Sequence, residues 1–191
     1  MTPAIYGQIS LFADMGLLLP VSAWLFVWVA LSDFRLACGW FASMAGLFAV
    51  VGVSKLAWAL WHMELSSIHF RMLSGHMALA CSVWPTVCAL IMGVFSLRHQ
   101  THARVFAYVC CACIGASRLA GAHTLSEIVS GALIGLAVDR GFAARMRAVT
   151  MYLRWPQVFG FLLLVLICCR YGSPIYSVGW FDRIAVRLKR F

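Results

Sequence analysis

Apolar residues gather in six runs, at about 15–31, 38–61, 76–96, 104–118, 124–139 and 155–169, and this segmentation constrains the fold more than any other feature. A helix needs roughly 20 apolar residues to cross the hydrocarbon of a bilayer. The runs at 38–61 and 76–96 reach that length, whereas 155–169 is short. Backbone polar groups in hydrocarbon must be paired within the chain, which favours helices. Overall the chain is 63% hydrophobic and 11% charged, against about half and about a quarter in soluble domains. The expectation is an all-α, polytopic transmembrane bundle of about six membrane segments, with 1–191 as one integral membrane domain. Residues 1–13 read as a lead-in at the interface. The connections at 32–37, 98–103 and 121–123 are brief, those at 62–75 and 140–154 longer, and there is no internal repeat, linker or low-complexity stretch.

The formal net charge of +9 raises the question of nucleic acid. The basic residues, however, sit between apolar runs, where they act as topology signals and contact anionic lipid. Nucleic-acid binding is therefore set aside, and membrane lipids are the expected surroundings. With sides counted alternately, one face holds Arg35, Arg98, Arg104, Arg140, Arg145, Arg147 and Arg154. The other holds Lys55, Arg71 and Arg118. By the positive-inside rule the arginine-rich face is cytoplasmic and the other opens outward. Residues 172–191 form a basic tail with Arg183, Arg187, Lys189 and Arg190. Trp180, Phe181, Ile184, Leu188 and Phe191 recur in it at near-helical spacing, which fits a surface-lying amphipathic helix. If 155–169 spans, that tail ends outside; if 155–169 is re-entrant, it ends inside.

All eight cysteines fall in apolar runs, where a free thiol behaves as a small hydrophobe. Cys110-Cys111-Ala112-Cys113 lacks zinc-ligand spacing, and no metal site or cofactor is expected. The N-terminus has no basic stretch ahead of its apolar run, so a cleavable signal peptide is not expected.

Three clusters stand at the ends of apolar runs on the outward face: Lys55; Ser74-Gly75-His76; and Ser117-Arg118 with His123 and Glu127. Ser74-Gly75-His76 opens the run that follows it. Free N–H groups and the positive end of a helix dipole there favour an anion. It also reads as an ordinary serine N-cap with a histidine at the interface. His123 and Glu127 are four apart, so the carboxylate can reach one imidazole nitrogen and leave the other as base or nucleophile. Equally, Thr124-x-x-Glu127 is a capping box in which Glu127 bonds the N-cap backbone. Arg118 offers a planar fork of donors suited to phosphoryl oxygens, or anchors the interface. Lys55 reads as a snorkelling lysine when taken alone. Cations, histidines and a carboxylate recurring at one membrane depth instead point to an anionic substrate.

Together these residues resemble the type 2 phosphatidic acid phosphatase superfamily, which also includes the vanadium haloperoxidases. That family carries a lysine followed by Arg-Pro, then Pro-Ser-Gly-His, then Ser-Arg, five residues, His, three residues and Asp. The matches are Lys55, Leu73-Ser74-Gly75-His76, and Ser117-Arg118 with His123 and Glu127, inside a motif-bearing core at about 50–140. Four positions depart from the pattern. His62-Met63 stands where Arg-Pro is usual, with Arg71 as a candidate replacement cation. Leu73 replaces the proline, four residues separate Arg118 from His123, and Glu127 replaces Asp.

The resemblance implies a metal-independent hydrolase. His123 would attack phosphorus to form a phosphohistidine, Glu127 would orient it, and His76 would protonate the leaving oxygen and then activate water. Lys55, Ser74, the Gly75 N–H, Arg118 and Arg71 would hold the phosphoryl oxygens. His62, Glu64 and His69 lie in the loop over the site and would shape access. A site at headgroup depth implies an amphiphilic substrate: a polyprenyl diphosphate, phosphatidic acid, phosphatidylglycerophosphate or a phosphorylated saccharolipid. The setting would be a bacterial inner membrane with the site facing the periplasm. Lipid phosphotransfer through the same residues is one alternative. A non-catalytic headgroup-binding protein with a degenerate site is the other. The haloperoxidase branch is soluble, unlike this chain.

Overall fold

The computed structural model describes residues 11–62, 64–93, 97–119, 124–146 and 155–171. Among them the fold is all-helical: α1 (Met15–Ala30), α2 (Phe34–Trp61), α3 (Gly75–Gly93), α4 (Leu97–Leu119), α5 (Leu125–Met146) and α6 (Trp155–Tyr171). A short 3-10 turn, Ser66–Ile68, sits in the α2–α3 loop. Two helices, α2 and α3, are long and apolar enough to cross a membrane, and Met15–Ala30 and Pro156–Arg170 are shorter apolar helices.

Local chemistry sets the helix ends. Asp14 caps α1 by accepting from the Gly16 N–H at 2.7 Å, and Asp33 caps α2 through the Leu36 N–H at 2.9 Å. A short polar side chain at this position satisfies a backbone donor that the helix leaves open. At the far end of α2, His62 takes a left-handed conformation (φ 52°) and closes the last turn onto the Trp58 carbonyl, a position glycine or asparagine more often fills. The loop then pairs Leu65 with Phe70. It docks on α2 where the Leu73 N–H donates to Ser54 Oγ at 2.9 Å.

The helices outrun the apolar segments that announced them. α2 starts at Phe34, inside the expected connection 32–37, and α4 takes in 98–103, expected to be a connection as well. Similarly, α5 runs past Asp139 to Met146. Hydropathy registers where lipid ends, whereas helical hydrogen bonds continue through arginine, histidine and glutamine, which are adequate helix formers. The tail at 172–191 lies outside the described residues.

α3 is the centre of the bundle. It packs most extensively on α4 and α5 and also touches α1 and α2. Trp40 ties α1 to α2 by donating to Ser22 Oγ at 3.2 Å, and its ring meets Phe142 of α5 edge-on at 4.9 Å. α3 and α5 approach each other closely. A Cβ added to Gly131 would run into the Ser74 carbonyl oxygen, and one added to Gly135 into the Ala78 carbonyl. Small residues four apart let helix backbones meet this way in membranes, where packing rather than hydrophobic transfer holds helices together. Gly135→Ala is expected to lower stability by about 1–3 kcal/mol, the usual cost of overpacking. Gly141, on the same helix, has open space around it, so Gly141→Ala should melt at the wild-type temperature or slightly higher. Thermal unfolding in detergent measures both.

Candidate functional site

Four helix ends meet at one end of the bundle. The Ser74 N–H, just before α3, donates to the Glu127 carbonyl of α5 at 3.3 Å, so the Ser-Gly-His and Glu127 segments are bonded backbone to backbone. Lys55 of α2 is 7% exposed. Its Nζ lies 3.9 Å from where a Cβ on Gly75 would stand. The α4 end arrives through Gly115, whose α-carbon faces Ile128 of α5 and Met77 of α3; Arg118 is one turn further on and half-buried. Residues from three separate sequence clusters therefore come to one place.

Side chains there divide by what they do. Ser74 is fully buried, and its Oγ has no hydrogen-bond partner among the described residues. A buried hydroxyl without a partner is costly, and this one sits at the start of α3, where a helix offers backbone N–H groups that have no intrahelical acceptor. Glu127 is 3% exposed. Its Oε2 accepts from the Thr124 N–H at 3.3 Å, and Thr124 Oγ1 accepts from the Glu127 N–H at 3.4 Å, a reciprocal capping box. Ser117 Oγ bonds back to the Ile114 carbonyl at 2.6 Å. His76 lies in the first turn of α3, half-buried. His123 lies outside the described residues.

Arg71 stands slightly apart. Its side chain, about half exposed, lies 3.6 Å from a Glu64 oxygen and 5.5 Å over the Trp58 ring, against which His62 also packs. The cluster of Trp58, His62, Glu64 and Arg71 covers the end of α2 one turn beyond Lys55. His69 occupies an exposed turn at φ 48°. Beneath Lys55, a cavity of about 50 Å³ between α1, α2 and α3 is lined by Met15, Phe48, Lys55 and Gly75 among others.

No known family model matches the chain, and no solved structure does. An uncharacterized 22.5 kDa protein in the cps region of Klebsiella pneumoniae is 31% identical to it over 186 residues, which cover 93% of this chain and 88% of that protein. The chain belongs to that protein's family. The match runs through the whole motif-bearing core, not one segment of it.

A second polar centre went unread in the sequence. Asp139 of α5 is fully buried. It accepts from Thr86 Oγ1 of α3 at 2.7 Å and from the Tyr108 hydroxyl of α4, and Arg104 Nε of α4 lies 3.3 Å from each of its oxygens. Twelve residues of helix at about 1.5 Å each put it roughly 18 Å from Glu127 along α5, so it belongs to the opposite end of the bundle. An aspartate closing an apolar run was the available signal, because a carboxylate at that depth needs partners. The eight cysteines are free thiols.

Proposed function

We propose that this chain is a member of the type 2 phosphatidic acid phosphatase superfamily: a membrane-embedded phosphatase acting on a lipid phosphate or diphosphate. In this reading a bundle of about six membrane segments sits in a bacterial inner membrane, its site facing the periplasm. The observation that carries it is the meeting of Lys55, Ser74-Gly75 and the start of α5 at one end of the bundle. Unrelated cap residues and snorkelling lysines would have no reason to converge. The relative's place in a cps region of a bacterium is in keeping with a substrate among envelope lipids.

The chemistry follows from the groups present. A nitrogen of His123 attacks phosphorus, the bond to the lipid oxygen breaks, and His76 gives that oxygen its proton. Water, losing a proton to His76, then attacks the phosphohistidine and releases inorganic phosphate. Ser74 Oγ, buried without a hydrogen-bond partner among the described residues, donates to a phosphoryl oxygen. Lys55, Arg118 and the Gly75 N–H balance the charge that develops. Arg71, on the rim with Glu64 and Trp58, faces the headgroup rather than the reacting phosphorus. One observation favours a non-catalytic headgroup binder instead: Glu127 already closes a capping box with Thr124.

Phosphate release separates the two. Purified protein in detergent with chelator present is expected to liberate inorganic phosphate from at least one of phosphatidic acid, phosphatidylglycerophosphate, a polyprenyl diphosphate or a phosphorylated saccharolipid. No release from any of them, by protein that remains folded, overturns the phosphatase reading.

A further inference from the structure

A cleft of about 530 Å³ runs between α1 and α2, lined by ten residues including Ala23, Val27, Phe41, Ala45 and Phe48. Its size is that of a ligand pocket. The polar groups in its wall, Ser22 and the Trp40 indole, bond to each other, which leaves an apolar surface. Ala23, Val27, Phe41 and Ala45 are exposed on its open side, where two alanines keep the floor low. Phe48 lines both this cleft and the cavity beneath Lys55 and Gly75. Along α2, Phe48 lies about 10 Å and Phe41 about 21 Å from Lys55, at about 1.5 Å per residue. The apolar cleft thus begins where the cation-lined cavity ends, and it runs away from it down the helix pair.

We infer that the α1–α2 cleft is the subsite for the hydrocarbon tail of the lipid phosphate whose headgroup meets Lys55 and Gly75. This rests on the phosphatase reading and narrows it. The substrate carries a tail longer than about 10 Å, because a shorter one ends before the cleft begins. The shared wall at Phe48, which sets the cleft against the cavity that holds Lys55, selects this occupant over a second copy of the chain or bulk lipid.

The test fills the cleft. Ala23→Trp and Ala45→Trp change exposed positions outside the core. Each is expected to lower kcat/KM for a long-chain lipid phosphate about 10-fold, in the range for altered fit in an apolar pocket. Turnover of a dihexanoyl phosphatidic acid should stay at the wild-type rate. In parallel, a long-chain alkyl phosphate with a photoreactive group at its tail end is expected to label residues within 19–27 or 40–48, and unlabelled alkyl phosphate should compete. Equal losses on both substrates, an altered oligomer mass, or labelling elsewhere in the chain would overturn the subsite. If the wild-type protein hydrolyses neither these two nor any other of the lipid phosphates named above, the phosphatase reading fails, and the labelling pattern still decides the cleft.

Discussion

Asp139→Ala is expected to destabilise the bundle by about 3–5 kcal/mol, the penalty for leaving a buried charge without its counterpart. The carboxylate is fully buried and ties α5 to Thr86 on α3 and to Arg104 and Tyr108 on α4. Removing it strands Arg104, whose side chain is only 15% exposed. Thr86→Ala should cost much less, about 0.6–1.7 kcal/mol, which is the measured scale for hydrogen bonds between helices in membranes. Charge compensation therefore outweighs the number of hydrogen bonds. The double variant Arg104→Met/Asp139→Leu should recover most of the loss, because replacing a whole buried pair by apolar side chains is often neutral. Denaturant unfolding of the four proteins in one detergent measures these differences. A single variant as stable as wild type would reduce the network to decoration.

That network marks where sequence reading stops. Its members are separated by 53, 35 and 31 positions from Asp139, and no local pattern brings them together. The Gly131–Gly135 approach is different: two glycines four apart in an apolar run are a readable helix-contact signal, which hydropathy alone does not weigh. Helical character itself was plain from the length and apolarity of 38–61 and 76–96. Helix ends were not, because Phe34 and Leu97 begin helices in polar sequence whose backbone bonding hydropathy does not sense. Within the candidate site, the serine and glycine at 74–75 and the carboxylate at 127 were legible because each opens a helix. Arg71 was read as a candidate cation, but its place beside Glu64 and Trp58 depends on the path of the 62–75 loop, which no local pattern gives. For Glu127 the capping box with Thr124 is formed, while the contact expected with His123 lies outside the described residues.

On the proposed phosphatase reading, His123→Ala should bring phosphate release down to background while the protein still extracts and melts as wild type. A missing nucleophile has no substitute in a two-step transfer, and losses on the order of 10⁶ in kcat are typical when one is removed. Lys55→Met should behave differently. Loss of one group that stabilises developing charge costs about 10²–10³ in kcat, so measurable turnover remains. The methionine replaces an ammonium that is 7% exposed with an unbranched apolar chain that fills the same volume. Extraction yield and thermal unfolding check that the variant is still folded as activity falls. An interfacial anchor would instead leave activity at the wild-type rate. Phosphate release and thermal unfolding on the same three preparations separate these roles. Wild-type rates from His123→Ala would mean that another residue attacks phosphorus, whatever the other groups around Gly75 contribute.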